Sequence, residues 1–107
     1  MTRPFSFHPE ARVELREAVK FYESERQGVG ADFVREVRAA IEHILEHPMS
    51  GSPAPAGTRR KVLPHFPYLL FYRFEQAEVT IVAVAHQRRR PGYWQPRVST
   101  RESDAAR

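Results

Sequence analysis

An α+β domain is the fold class this sequence predicts, with an N-terminal strand and a helical hairpin packed on a small antiparallel β-sheet. Three observations carry it. Two consecutive segments repeat apolar residues at helical spacing, three later segments have strand character between turn residues, and a short alternating segment precedes them all.

Phe5 and Phe7 alternate within residues 3–8, a short strand signal. Pro9 suits the first turn of a helix, where its missing N–H is no loss, and His8 stands before it as a cap. Ala11, Leu15, Ala18 and Tyr22 recur at 4-3-4 spacing, Val19 widens the stripe, and Glu and Arg fill the other positions. That pattern predicts an amphipathic helix to about Arg26. Gly28 and Gly30 bracket a tight connection. From about Ala31, Phe33, Val37, Ala40 and Ile44 form one line, with Val34, Ile41 and Leu45 beside it. This broader apolar face predicts the more deeply buried helix. Pro48 ends it, because proline disfavours the α conformation in the preceding residue. Two such helices and a short connection make a helical hairpin.

Residues 49–57 hold Gly51, Pro53, Pro55 and Gly57 among small residues and read as a loop. Residues 58–63 form a short strand carrying Arg59, Arg60 and Lys61. Residues 68–74 are apolar on both faces apart from Arg73, as in a central strand. Residues 79–85 are rich in β-branched side chains. Turns at residues 64–67 and 75–78 join the three strands into a meander, and the first strand completes four. The helices cover one face of this sheet and leave the other free. After Trp94 the apolar content nearly vanishes, so the domain is expected to span 1–94 and residues 95–107 to form a disordered tail.

The composition narrows the function. With 107 residues there is room for one domain, and no run approaches the length of a membrane span. No membrane partner is expected. There is no cysteine, hence no disulfide and no thiolate metal site. The five histidines lack metal-ligand spacing, with His43 and His47 reading as a solvated helix end, so no metal or cofactor is expected. The N-terminus has no signal-peptide core, which predicts a cytoplasmic protein. The net charge of +4 is unevenly spread. Residues 1–47 carry seven basic and nine acidic side chains, and residues 48–107 ten basic and four acidic. An anion-binding surface therefore belongs to the C-terminal half.

The chemistry concentrates where the last strand ends, in His86-Gln87-Arg88-Arg89-Arg90-Pro91-Gly92-Tyr93-Trp94. Three adjacent arginines with no acid nearby in sequence offer forked donors suited to phosphate oxygens. Tyr93 and Trp94 are placed to stack on bases or pack on a partner. The plainer reading is a solvated strand end, with Trp94 anchoring the tail. Arg59, Arg60 and Lys61 form a second basic cluster, and Arg73 projects from the sheet edge or pairs with a carboxylate, since a buried unpaired Arg is too costly. Metal-independent RNA cleavage needs proton-transfer groups and cations for the phosphorane charge. His86 or Tyr93 would supply the first, and Arg60, Lys61, Arg73 or Arg88 the second.

Several stretches together resemble RelE/ParE-type toxins of bacterial type II toxin–antitoxin (plasmid stabilisation) systems. They are Phe7-His8-Pro9-Glu10-Ala11, Phe21-Tyr22-Glu23, Phe33 with Ile41 and Ile44, Phe66-Pro67-Tyr68 with Phe71-Tyr72-Arg73, and residues 82–94. The resemblance runs from about Phe5 to Trp94. It implies a growth-inhibiting toxin neutralised by a cognate antitoxin, whose C-terminal segment wraps over the toxin's helices and sheet. Acidic and apolar antitoxin residues are then expected on the sheet side. The target splits within the superfamily. A ParE-like member poisons DNA gyrase without nuclease chemistry, and helices of about 17 residues favour that side. A RelE-like member is a ribosome-dependent mRNA endonuclease, and by position Arg60, Lys61, Arg73, His86, Arg88 and Tyr93 would then be catalytic. Target or antitoxin contact is expected at Arg59, Arg60, Lys61, Arg73, Arg88, Arg89, Arg90, Tyr93 and Trp94. A third reading is a non-toxic basic nucleic-acid-binding module.

Overall fold

In the computed structural model, which describes residues 4–98, the chain runs β1 (Phe5–Phe7), α1 (Pro9–Glu25), α2 (Val29–Glu46), β2 (Ser52–Ala54), a 3₁₀ turn (Pro55–Gly57), β3 (Thr58–Val62), β4 (Tyr68–Glu75) and β5 (Glu78–His86). Both helices stand where the apolar spacing puts them. His8 caps α1, its Nδ1 accepting the Glu10 N–H at 3.1 Å, and Pro9 opens the first turn. At the hairpin bend Gly28 has φ +92°, a left-handed conformation that glycine adopts without penalty. The Glu23 carboxylate accepts the Gly28 and Gly30 N–H groups there, each at 3.0 Å, and so satisfies two of the free donors at the start of α2.

The fold class is α+β as predicted, but the sheet has five strands in the order β1-β5-β4-β3-β2 and is mixed. β2–β3, β3–β4 and β4–β5 are antiparallel, whereas β1 lies parallel to β5, with Phe5 opposite Val79 and Phe7 opposite Ile81. A parallel pair needs a long crossover, and here the whole hairpin and meander intervene. The fifth strand arises from the segment read as a loop. Pro53 cannot donate to a ladder, which restricts such a strand to an edge, and β2 is the edge beside β3.

Between the hairpin and one sheet face lies the main core, built around Phe33, Val37, Ile44, Leu70, Tyr72, Ile81 and Val84. An aromatic group of Tyr22, Phe33, Phe66 and Tyr68, with ring centroids 4.8 to 6.1 Å apart, closes one end. Tyr72 is fully buried; its hydroxyl donates to Pro48 O at 2.7 Å and accepts the Gly51 N–H at 3.0 Å, pinning the chain between α2 and β2.

The opposite face is not free, which corrects the sequence expectation. A bulge shifts the β4–β5 register, so that Phe71 pairs with Ala83 and Tyr72 with Ile81. Val82 is the extra residue, and it packs with Ala83, Trp94 and Val98 in a second core flanked by Phe71 and Tyr93. Trp94 is 1% exposed, its ring centroid 4.5 Å from that of Phe71. The domain therefore extends past residue 94: residues 95–98 make a helical turn, and Val98 is buried. Their small apolar content hid this, since one Val and one Arg do the anchoring. The remainder of the expected tail, residues 99–107, lies outside the described residues.

Candidate functional site

Where β1 ends, β5 continues with an open edge, and two side chains close it. Glu14 of α1 accepts the Val84 N–H at 2.9 Å, and Arg97 donates to Val82 O at 2.9 Å. The two supply the hydrogen bonds that a longer β1 would have made. They also pair with each other, Arg97 Nη1 and Nη2 reaching the Glu14 carboxylate at 3.0 and 2.8 Å, and the Tyr93 hydroxyl donates to the same carboxylate at 2.6 Å. Glu14 and Arg97 side chains are 12% and 14% exposed. The sequence pattern put Glu14 on the solvated face of α1 and made nothing of Arg97. A carboxylate at a helix position beside the apolar stripe carries no local sign that it meets a partner 83 residues away.

The network shifts the titration of two of its members, Tyr93 and Arg97. Burial first, then the hydrogen bond to Glu14 and the charge of Glu14, push the Tyr93 phenol well above its ordinary value. Burial alone would lower the Arg97 guanidinium, but its hydrogen bond to Glu14 and the charge of that carboxylate outweigh it, and Arg97 is raised. Burial also raises Tyr68, whose ring meets that of His86 edge-on at 5.1 Å. His86 Nδ1 accepts the Arg88 N–H at 3.0 Å, which places the proton of the neutral ring on Nε2. Glu14, Glu17, Ala18, Tyr68, Val84, His86 and Arg89 line a small cleft of about 170 Å³ here.

The arginine turn sits above this cleft. Arg89 stacks on Tyr93, its guanidinium carbon 3.8 Å from the ring centroid. Arg88, Arg89 and Arg90 are exposed. Trp94 was expected to meet a partner and does not reach the surface: its indole is the anchor of the second core.

The other predicted residues lie elsewhere. Arg59 and Lys61 point to the helical side of β3, opposite Tyr72 and Leu70, where Arg59 donates to Met49 O and Gly51 O and Lys61 Nζ lies 2.7 Å from His43 Nδ1. Arg60 and Arg73 take the opposite face, with Leu69 and Phe71. Arg73 is buried and ion-paired with Glu75, and its Nη1 has no hydrogen-bond partner among the described residues. Of the six residues with catalytic potential, His86, Arg88 and Tyr93 are together. Lys61 is two strand spacings away, roughly 10 Å, and Arg60 and Arg73 are across the sheet. His43 and His47 rings are 5.1 Å apart, and among the described residues no group of three His, Cys, Asp or Glu can hold a metal. Nor is any described helix long and apolar enough to cross a membrane.

A larger feature lies at the β1 edge of the sheet. Phe5, Phe7, Leu15, Val34, Val37, Ile41 and Leu45 line a groove of about 400 Å³ between β1 and the two helices, with Arg38 and Glu42 on its rim. Phe5 is 43% exposed, and β1 pairs on one side only, so the groove adjoins an open strand edge. Sequence periodicity assigns these side chains to a buried face, and Val37, Ile41 and Leu45 are buried, but it does not show that Phe5 and Val34 leave the end of the stripe open.

Residues 5–91 match a family model described as ParE toxin of type II toxin-antitoxin system, parDE. Toxin ParE1 of Caulobacter vibrioides is 36% identical to this chain, over 79% of it and 90% of that protein. A solved structure described as the chromosomal ParDE TA system from P. aeruginosa superposes with a TM-score of 0.69 over 79% of this chain and 96% of the other, at 15% identity, and shares the fold.

Proposed function

We propose that this chain poisons DNA gyrase, and the premise is its family: the chain belongs to the ParE toxins of type II toxin–antitoxin systems. Its partner is a cognate antitoxin. The gyrase reading treats the toxin as an interaction protein acting in the cytoplasm. One observation favours it over mRNA cleavage: the residues available for acid–base and phosphorane chemistry are divided between two sheet faces. Within the group that does come together, the Tyr93 hydroxyl is committed to Glu14 and its phenol is raised far from neutrality, whereas an effective proton-transfer group works near the ambient pH. The test is a supercoiling assay on relaxed plasmid beside a ribosome-dependent mRNA cleavage assay. Inhibited supercoiling with accumulation of cleaved plasmid, and intact mRNA, is the expected pair of results. Cleavage of mRNA in the ribosomal A site, lost in Tyr93→Phe and His86→Ala, would replace this reading with the endonuclease.

The groove between β1, α1 and α2 is the seat we assign to apolar side chains of the antitoxin, so the apolar part of the contact falls beside the hairpin and not on the far sheet face. Val34, half-buried on the groove wall, tests this. A carboxylate there would lose its hydration when the antitoxin docks. Val34→Glu is expected to remain toxic while its affinity for antitoxin falls by about 100-fold, roughly 2.7 kcal/mol. Titration of the purified proteins and growth on co-expression both report it; unimpaired neutralisation would move the antitoxin elsewhere.

A further inference from the structure

The turn leaving β5 is held in one shape. The Gln87 N–H bonds Pro67 O at 2.9 Å, the Arg89 N–H bonds His86 O at 3.0 Å, the Tyr93 N–H bonds Arg90 O at 3.2 Å, and the Gln95 N–H bonds Gly92 O at 2.9 Å. Gly92 sits at φ +76°, where a side chain is rarely tolerated. The tip of this braced turn carries three exposed arginines, of which Arg89 lies on the Tyr93 ring. Arg35, Arg73 and Arg97 are each ion-paired, whereas Arg88 and Arg90 have no carboxylate partner among the described residues. Their charge is therefore available to a ligand without breaking an internal contact.

What surrounds these cations decides the ligand. Protein-binding hot spots are enriched in Trp and Tyr as well as Arg, and base stacking needs an exposed ring face. Both aromatics of this segment are withdrawn. Trp94 is buried on Phe71, and Tyr93 has Arg89 on its ring, the Arg97 guanidinium carbon 5.2 Å from its centroid, and its hydroxyl on Glu14. A rigid tip with forked cations and no free ring has no platform on which an unpaired base could stack and no aromatic anchor to plug a pocket. It matches a dense row of phosphates, with duplex DNA carrying one charge per about 1.7 Å of axis.

We propose that the Arg88–Arg90 turn is a sequence-independent contact to the phosphate backbone of duplex DNA, through which the toxin grips the DNA that its target enzyme holds. The identity of that enzyme rests on the gyrase reading; the contact itself does not. Glu17 shares the cleft with His86 and Arg89, so Arg88 and Arg90 are the residues to change.

Binding of the full chain, freed of antitoxin, to short fluorescent duplexes of two unrelated sequences is measured between about 50 and 200 mM salt. Equal affinity for both sequences is expected, with log K falling against log salt at about 0.9 per phosphate contacted. Arg88→Ser/Arg90→Ser should reduce that slope by about 2 and weaken binding about tenfold or more at the lowest salt, with an unchanged thermal midpoint. No measurable binding by the wild type, binding that the double variant retains, or preference for an RNA duplex would overturn the proposal. So would a double variant that keeps DNA and loses antitoxin. A supercoiling assay run in parallel separates the two readings. A toxin that binds duplex in this way without inhibiting gyrase removes the gyrase reading and leaves the contact. A toxin that inhibits gyrase while the double variant binds DNA as well as the wild type does the reverse.

Discussion

Trp94→Ala is expected to destabilise the protein by about 3–5 kcal/mol, lowering the thermal midpoint by about 12 °C or more. The indole is 1% exposed and lies on Phe71, and it packs with Val98 over Val82 and Ala83 of β5 in the second core. Removing it leaves a cavity that the β4–β5 bulge cannot close, because both strands are held on their other face by the main core. Circular dichroism melts of the wild type, Trp94→Ala and Trp94→Phe measure it, with Trp94→Phe falling between the other two. A tail that merely trailed into solvent would make all three midpoints coincide.

Glu14→Ala should cost about 3 kcal/mol, the lower end of what breaking a buried ion pair costs, since both partners keep some exposure to water. Four hydrogen bonds end on this carboxylate: from Val84 N–H, from the Tyr93 hydroxyl and two from Arg97. Alanine strands all three donors at once and reopens the edge of β5. The coupling is measurable by urea denaturation of Glu14→Ala, Arg97→Ala and the double variant. The double variant is expected to lose less than the sum of the singles by about 1–3 kcal/mol. A glutamate on the solvated face of a helix would instead change stability by no more than about 0.5 kcal/mol and show no coupling.

These two residues mark the boundary of what could be read from the chain. The hairpin was legible because helical periodicity is written within each segment: Phe33, Val37, Ala40 and Ile44 need no distant information to declare a face. Strands β3 to β5 were legible for the same reason, and the turns between them carry their own residue chemistry. β1 declared itself as a strand but not its parallel direction, because pairing partners are chosen by the assembled sheet. β2 was hidden in a segment whose prolines and glycines speak for a loop, and it exists because an edge strand tolerates Pro53.

The site was half legible. The arginine turn stood out as a run of charge, and the structure leaves it exposed at the end of the sheet. For Arg73 the sequence leaves two readings, projection from the sheet edge or pairing with a carboxylate, and the structure shows the second, with Glu75, two residues on, as the partner. Tyr93 and Trp94 looked like contact residues because exposed and buried aromatics have the same sequence signature. Trp94 proved to be the anchor of the plainer reading. Glu14 and Arg97 gave no signal, since a charged residue is recognised as buried only once its partner is known.

By itself the sequence determined the α+β class, the limits of the two helices, the three meander strands and the concentration of positive charge in the C-terminal half, because each depends on the spacing or composition of neighbouring residues. Only the tertiary structure decided which arginines are free and which are spent, how far the domain extends, and where an apolar groove stays open. Those outcomes hang on contacts such as Glu14 with Val84 and with Arg97, 70 and 83 residues apart in the chain. No local pattern encodes such a meeting; it is settled when helix, sheet and C-terminal turn compete for the same few hydrogen bonds at the edge of β5.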